Sequence, residues 1–253
     1  VTHLFVFLRN IPYICQNNIS NINRIKMRIC GISDIHGDLS PKIEPCDVLC
    51  ICGDIVPLEA QMNSKKSRRW LQELFIPWCD KQPCKKVLVI GGNHDFFLYY
   101  HPLQMKEMIK DNEKIEYLNN EGYEFEGIKF FGTPLCKIYG NWAFMLPYEE
   151  QDKILNEAFD EWGNEIDVLL SHDSPYGVSD IILDKNCPWA TDDHIGNKSL
   201  EAFVIKTAPK LHLHGHLHST NHDEELLGTT KVHCVSILGE QYTVQYEPQY
   251  FEI

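Results

Sequence analysis

The chain has little positive charge and no long apolar run. Its 253 residues include 23 lysines and arginines against 36 aspartates and glutamates, which gives a formal net charge of −13. A protein of that sign repels the backbone of a long nucleic acid. The apolar segment 4–8 is far shorter than the ~18 residues of a spanning helix. Neither polymeric nucleic acid nor a membrane is expected as a partner, and the oligomeric state is left open.

The chain also lacks the cysteine pattern of a disulfide or zinc framework. Its ten cysteines include Cys30, Cys50, Cys52 and Cys234, each inside an apolar run, where cysteine behaves as a small buried hydrophobe. No paired Cys-x-x-Cys blocks indicate a structural zinc. These positions predict a reducing, cytoplasmic location.

The overall composition is that of a soluble globular protein. Hydrophobic residues make up 43% of the chain and charged residues 23%, which excludes disorder, collagen and coiled coil. We expect one domain over residues 27–253. Residues 1–26 have no clear periodicity, and we interpret them as an N-terminal extension that contributes little to function.

Short apolar runs alternate with helical patterns along this domain. The runs predict strands at 27–32, 47–52, 86–91, 127–132, 166–171, 210–214 and 231–237. Each run is continuous rather than alternating, which is typical of strands covered on both faces. Between them we expect one helix capped by Ser64 and ended by Pro77, one around residues 154–162, and one around residues 200–204 before Pro209. The predicted class is α/β.

Residues able to bind metal follow five of the predicted strands directly. The five blocks are Asp34-x-His36, Gly53-Asp54, Gly92-Asn93-His94-Asp95, His172-Asp173 and Gly215-His216-Leu217-His218. Taken singly, each block is more typical of a turn or a structural histidine, except the last, whose alternate histidines project the same way. Ligands bind outside the carboxyl ends of the strands in open α/β sheets, so the five blocks together predict one metal centre.

The number of ligands favours two metal ions. The candidates are Asp34, His36, Asp54, Asn93, His172, His216 and His218. One catalytic ion normally uses three or four protein ligands, so seven candidates are enough for two ions if one carboxylate bridges them. Asp54, on its Gly53 turn, is the natural bridge. Imidazole, carboxylate and amide donors suit manganese, with iron, zinc or nickel as alternatives.

In order and spacing, this motif set resembles the calcineurin-like metallophosphoesterase superfamily over roughly residues 28–220. The fold that the resemblance implies is a four-layer α/β/β/α sandwich of two mixed sheets. One metal would be bound by Asp34, His36, Asp54 and His218, and the other by Asp54, Asn93, His172 and His216. By the same resemblance, His94 lies outside the metal ligands and acts on the phosphate, oriented by Asp95. Attack by a hydroxide that bridges the two metals would then hydrolyse a phosphoester.

The sequence differs from the protein phosphatases of that superfamily. These differences restrict the kinds of phosphoester that the chain is expected to hydrolyse. Their Gly-Asp is followed by Val-Asp-Arg-Gly, whereas Asp54 is followed here by Ile55-Val56-Pro57-Leu58, so the arginine that grips phosphate is missing. Scattered motifs, among them Gly132-Thr133-Pro134 and Asn141-Trp142-Ala143-Phe144, are similar to a subgroup related to cyclic-nucleotide phosphodiesterases. We therefore expect a phosphodiesterase that hydrolyses small phosphodiesters such as cyclic nucleotides.

Several alternatives stay open at this point. The chain could be a small-molecule phosphomonoesterase, a non-catalytic protein-binding scaffold or a nuclease. The intact ligands and His94 argue against the scaffold, and the acidic balance argues against the nuclease. Asp173 stands where the subgroup has glycine, and we interpret its carboxylate as the cap of a turn rather than a determinant of substrate. Tyr139, Trp142, Tyr176 and Trp189 could stack a nucleobase, although loop aromatics more often serve packing.

Overall fold

The computed structural model of the protein describes residues 26–253. The interpretation of residues 1–26 as an extension therefore lies outside the described residues, apart from Lys26. The strands are β1 (Arg28–Ile32), β2 (Val48–Cys52), β3 (Lys86–Ile90), β4 (Ile115–Tyr117), β5 (Glu121–Phe125), β6 (Ile128–Thr133), β7 (Val168–Ser171), β8 (Leu211–His214), β9 (Glu225–Leu227), β10 (Thr230–Cys234) and β11 (Gln249–Glu252). The α-helices are α1 (Ser64–Trp70), α2 (Ile76–Lys81), α3 (Phe96–Tyr100), α4 (Pro102–Ile109), α5 (Tyr148–Trp162) and α6 (Lys198–Thr207). Over residues 26–253, no helix has both the length and the apolar character needed to cross a membrane.

The strands form two mixed sheets. The first has the order β11-β1-β2-β3-β4, and all its strands are parallel except β11. The second has the order β5-β6-β7-β8-β10-β9, with antiparallel strands only at its two edges. All seven strands predicted from apolar runs are present, and β4, β5, β9 and β11 are additional.

The alternation of side chains along each strand creates three apolar layers. In β2, Leu49 and Ile51 pack against the helices that cover the first sheet. Their neighbours Val48, Cys50 and Cys52 point the other way, into the layer between the two sheets. The outer face of the second sheet packs against α5 and α6. This is the α/β/β/α sandwich that the resemblance of the motifs implied, and it explains why the central strands are apolar on both faces.

The prediction for the first helix is wrong at both ends. Its cap is Asn63, whose side chain accepts a hydrogen bond from the Lys66 backbone N–H. The helical path also continues beyond Pro77, through a π-helical segment (Leu71–Phe75) into α2. A proline ring clashes with the carbonyl four residues earlier in a regular α-helix, and the wider π turn before Pro77 relieves that clash.

The topology brings five loops to one edge of the sandwich. β1, β2, β3, β7 and β8 run parallel within their sheets, and each predicted metal-binding block begins within three residues after one of them. Three of these loops belong to the first sheet and two to the second. The candidate site therefore lies at the carboxyl ends of strands from both sheets.

Candidate metal centre

Unusual backbone conformations mark the loops of the site. Asp34, His36, Asp54 and His216 have φ values of 54°, 40°, 51° and 72°. Left-handed conformations are uncommon for residues other than glycine and cost about 1–2 kcal/mol each. Such strain persists where the surrounding structure enforces it, and it concentrates at functional sites.

Backbone hydrogen bonds hold these loops together. The Asp34 N–H donates to the Gly53 carbonyl (3.0 Å), and the His36 N–H donates to the Asp54 carbonyl (2.9 Å). Gly92 allows the third loop to approach, because a Cβ at this position would lie 2.3 Å from both the backbone nitrogen and Oδ1 of Asp54. The positions of the acidic residues are thus fixed by the backbone.

Two groups of three donor atoms come together in these loops. In each group the donor atoms all lie within 4.8 Å of one another. The first group is Asp34, His36 and His218; the second is Asp34, Asp54 and His172. Asn93 joins the second group, since its Oδ1 lies 2.9 Å from His172 Nε2. Neighbouring ligands at about 2.1 Å from one ion are separated by roughly 3 Å, so this spacing fits a shared ion.

The two oxygens of Asp54 face different histidines. Oδ1 lies 3.4 Å from His172 Nε2, and Oδ2 lies 3.6 Å from His36 Nε2. The backbone N–H of His94 donates to Oδ1 (2.8 Å) and fixes the plane of the carboxylate. A carboxylate that bridges two ions requires this arrangement.

The surroundings of the His36 side chain indicate whether the cluster is suited to binding a metal ion. Its side chain is only 2% exposed, yet neither ring nitrogen has a hydrogen-bond partner. Burial lowers the pKa of His36 to about 4, against the opposing charges of Asp54 and Asp34. A neutral imidazole with free lone pairs, buried beside two carboxylates, fits a metal ligand.

The charges of the other predicted ligands interact strongly with one another. Burial opposes the ionised forms, but the charge of Asp54 raises the pKa of His172 to about 10. Burial likewise opposes protonation of His218, but the hydrogen bond and charge of Asp34 raise its pKa to about 9. The interactions with histidines lower the pKa of the Asp34 and Asp54 carboxylates below the usual range, although burial alone would raise it. Metal cations compete with protons for these atoms, so metal affinity should increase with pH.

Neighbouring oxygens orient the side chains of the predicted ligands. The second ring nitrogens of His172 and His218 face the carbonyls of Cys52 (2.8 Å) and Gly239 (3.1 Å). A donor Nδ1–H in each ring leaves Nε2 free to bind an ion. The Ser236 hydroxyl lies 2.5 Å from Asp34 Oδ2 and donates to it.

Replacement of Ser236 by alanine is expected to weaken metal binding about 10–100-fold, because Asp34 loses the hydrogen bond that orients it. Titration calorimetry with Mn²⁺ measures the effect, and Ser40→Ala, at an exposed position, is the control. Equal affinity in Ser236→Ala and the wild type would contradict this orienting role.

His94 lies at the edge of the cluster and has an unexpected partner. Its Nε2 is 3.9 Å from Asp54 Oδ2, and its side chain is 14% exposed. Its Nδ1 faces the Oε1 of Gln61, not the carboxylate of Asp95. Asp95 accepts instead from the backbone N–H groups of Val56 and Gly92 (both 2.9 Å) and of Ile55.

The expectation that Asp95 orients His94 is therefore corrected. Asp95 is fully buried and joins the second and third loops, because its carboxylate is the acceptor that their N–H groups require. Burial and the charge of Asp54 raise its pKa to about 7. Gln61 was missed because it lies in a turn region ahead of α1, well outside the motifs.

His216 and Asp173 are two further residues that the sequence analysis singled out. The backbone N–H of His216 donates to Asp34 (3.0 Å), and its ring lies 5.1 Å from that of His172, although it is in neither three-donor group. Burial lowers the pKa of His216 to about 3, so the ring is neutral. Asp173 accepts from the backbone N–H groups of Lys137 (2.9 Å) and Ser174 (3.0 Å). The carboxylate thus caps backbone, in agreement with the turn interpretation.

Comparisons with known proteins identify similar sequences. The profile of the family described as "Calcineurin-like phosphoesterase" matches residues 27–220. The metallophosphoesterase domain-containing protein 1 of Homo sapiens is 26% identical over 243 residues, which cover 87% of this chain and 68% of that protein. A probable rhamnogalacturonate lyase C of Emericella nidulans is 26% identical over 202 residues. They cover 76% of this chain but only 17% of that relative.

A solved structure has the same fold. A protein of Thermus thermophilus superposes with a TM-score of 0.59 at 13% identity, covering 82% of this chain and 88% of that chain. At this identity the likeness concerns the arrangement of the two sheets and their helices. It supports the four-layer architecture independently of the motifs.

Proposed function

The chain belongs to the calcineurin-like phosphoesterase family of metal-dependent enzymes, and on that premise we propose that it hydrolyses small phosphodiesters such as cyclic nucleotides. The proposed ligands of one ion are Asp34, His36, Asp54 and His218, and those of the other are Asp54, Asn93, His172 and His216. Manganese is the proposed metal, with iron, zinc or nickel as alternatives. When bound there, two divalent ions would supply Lewis acidity for the activation of a water molecule and for the neutralisation of the phosphoryl oxygens.

The charges around the cluster favour a diester. Among the described residues, the basic side chains that lie within 4.0 Å of the Asp34 and Asp54 carboxylates are all histidines, namely His36, His94, His172 and His218. Lys137 instead interacts with Asp173 and Asp180. A phosphomonoester carries one more negative charge than a diester at neutral pH and would gain from a nearby guanidinium or ammonium group. This local shortage of basic groups carries the proposal.

Side chains of the protein would position the ions and supply a proton to the leaving group. Gln61 accepts the Nδ1–H of His94 and thereby directs His94 Nε2 toward the cluster. Protonated at Nε2, His94 donates that proton to the leaving oxygen. Asp54 holds the cluster together through its two oxygens, and Asn93 contributes a neutral oxygen, so the anionic substrate meets less negative charge.

We also propose the class of partner and the cellular location. The partner is a small phosphoester rather than polymeric nucleic acid, since the net charge is −13. The cysteines among the described residues are free thiols, which supports a proposed location in the reducing cytoplasm.

The test compares 4-nitrophenyl esters on Mn²⁺-loaded protein. We expect kcat/KM for bis(4-nitrophenyl) phosphate to exceed that for 4-nitrophenyl phosphate, with metal-stripped protein as the blank. A preference for the monoester would replace the proposal with a small-molecule phosphatase. Failure of metal to support turnover of either ester would favour the scaffold.

A further inference from the structure

Three aromatic side chains border the metal cluster. The ring of Tyr139 lies 5.4 Å from that of His216, and the ring of Trp142 lies 4.6 Å from that of His94. The ring of Tyr242 contacts two ligands, His36 at 5.0 Å and His218 at 5.3 Å. The aromatic wall, defined as Tyr139, Trp142 and Tyr242, thus touches ligands of both proposed metal sites and His94.

The aromatic wall remains accessible to a ligand. Tyr139 is 51% exposed and Tyr242 is 45% exposed, and Trp142 is half-buried. Large aromatic side chains that serve only packing are normally well buried. Here the three rings are partly exposed and also lie beside His94 and the proposed metal ligands.

The backbone of Tyr242 is held in an unfavourable conformation. Its φ is 54°, in the left-handed region that bulky residues rarely adopt. The Tyr242 N–H donates to the Gly239 carbonyl (2.9 Å), and the Gly239 N–H donates to the Thr243 carbonyl (3.0 Å), which closes a tight turn. Glycine would suit that turn better, so the tyrosine ring has a role that outweighs backbone preference.

We propose that the aromatic wall binds a planar aromatic group on the part of the phosphoester that stays bonded to phosphorus after hydrolysis. This inference rests on the proposed phosphoesterase function and adds the substrate class, a phosphodiester of a nucleobase-bearing or aryl group. Aromatic rings stack on planar groups with little dependence on their identity. An alkyl group offers no such face.

The first experiment keeps the leaving group constant and changes the other ester group. We expect Mn²⁺-loaded protein to have a higher kcat/KM for phenyl 4-nitrophenyl phosphate than for methyl 4-nitrophenyl phosphate. In Tyr242→Gly this phenyl-to-methyl ratio should fall about tenfold, and in Tyr242→Phe it should persist because the ring remains. A ratio unchanged by Tyr242→Gly and by Tyr139→Ala would overturn the inference.

The stability of the variant separates a lost contact from misfolding. Because glycine accepts a positive φ, the relief of backbone strain in Tyr242→Gly should offset much of the packing lost with the ring, and the melting temperature should stay within a few degrees of the wild type. Ala208→Gly is the matched control, since Ala208 also has a positive φ (47°) but caps the end of α6. Both ester rates should be unchanged in this control. A large fall in the melting temperature of Tyr242→Gly would assign the ring a structural role and overturn the inference.

Binding without turnover distinguishes the two proposals. Titration calorimetry compares phenylphosphonate with methylphosphonate on the Mn²⁺-loaded protein. Tighter binding of phenylphosphonate supports the aromatic wall even if no ester is hydrolysed, a result that would overturn only the phosphodiesterase proposal. Hydrolysis without a phenyl preference in binding or rate would overturn only the aromatic wall.

Discussion

Replacement of Asp54 by asparagine is expected to lower the metal content below two ions per chain. Asparagine keeps an oxygen for the backbone N–H of His94, which now bonds Oδ1 of Asp54. Its amide nitrogen must then face His36, where the structure has Oδ2. An amide nitrogen does not coordinate a cation, so the ion proposed near His36 should be lost and binding of the ion proposed near His172 should be weaker.

The fall in kcat/KM should be about 10³-fold or more, because the ions contribute several kcal/mol to stabilising the transition state. Metal analysis by mass spectrometry after gel filtration gives the stoichiometry. Asp111→Asn, an exposed position, is the control for the change of charge. Two tightly bound ions in Asp54→Asn would contradict the bridging role.

Replacement of His94 by alanine is expected to reduce turnover about 10²–10⁴-fold, the usual contribution of a positioned proton donor. The metal content should stay at the wild-type value, since the His94 side chain lies outside the proposed ligands. Its contacts are Gln61, the Trp142 ring and the edge of the cluster.

The leaving group identifies the role of His94. Nitrophenolate leaves without much protonation, whereas phenolate is more basic and needs a proton. The loss in His94→Ala should therefore be larger for diphenyl phosphate than for bis(4-nitrophenyl) phosphate. His101→Ala, between α3 and α4, is the control. An equal loss on both esters would show that His94 positions the phosphate electrostatically and does not donate a proton.

The sequence was sufficient to predict those parts of the fold that depend on local patterns of residues. A strand covered on both faces is apolar throughout, so the runs around β1, β2 and β3 identified the centre of the first sheet. Polar residues directly after such runs lie at one edge because the strands are parallel. The proposed ligands were predicted from that rule together with the resemblance of the motifs, and the structure brings their side chains together.

The missed features depend on contacts between distant segments. Gln61 meets His94 from a segment 33 residues away, and no spacing rule connects them. Tyr242 reaches the site through a turn whose left-handed residue is not a glycine, so the usual turn signal is lacking. The π turn before Pro77 likewise breaks the rule that proline ends a helix, because that rule assumes regular α-helical geometry.

The division of the ligands between the two sheets has a mechanical consequence. Asp34, Asp54 and Asn93 follow strands of the first sheet, whereas His172, His216 and His218 follow strands of the second. An ion bound to both Asp54 and His172 would therefore be bonded to residues of both sheets. It would link the two sheets at the edge of the sandwich. Since ligands that bind only the folded state add to its stability, cations held by the proposed ligands would also oppose separation of the two sheets.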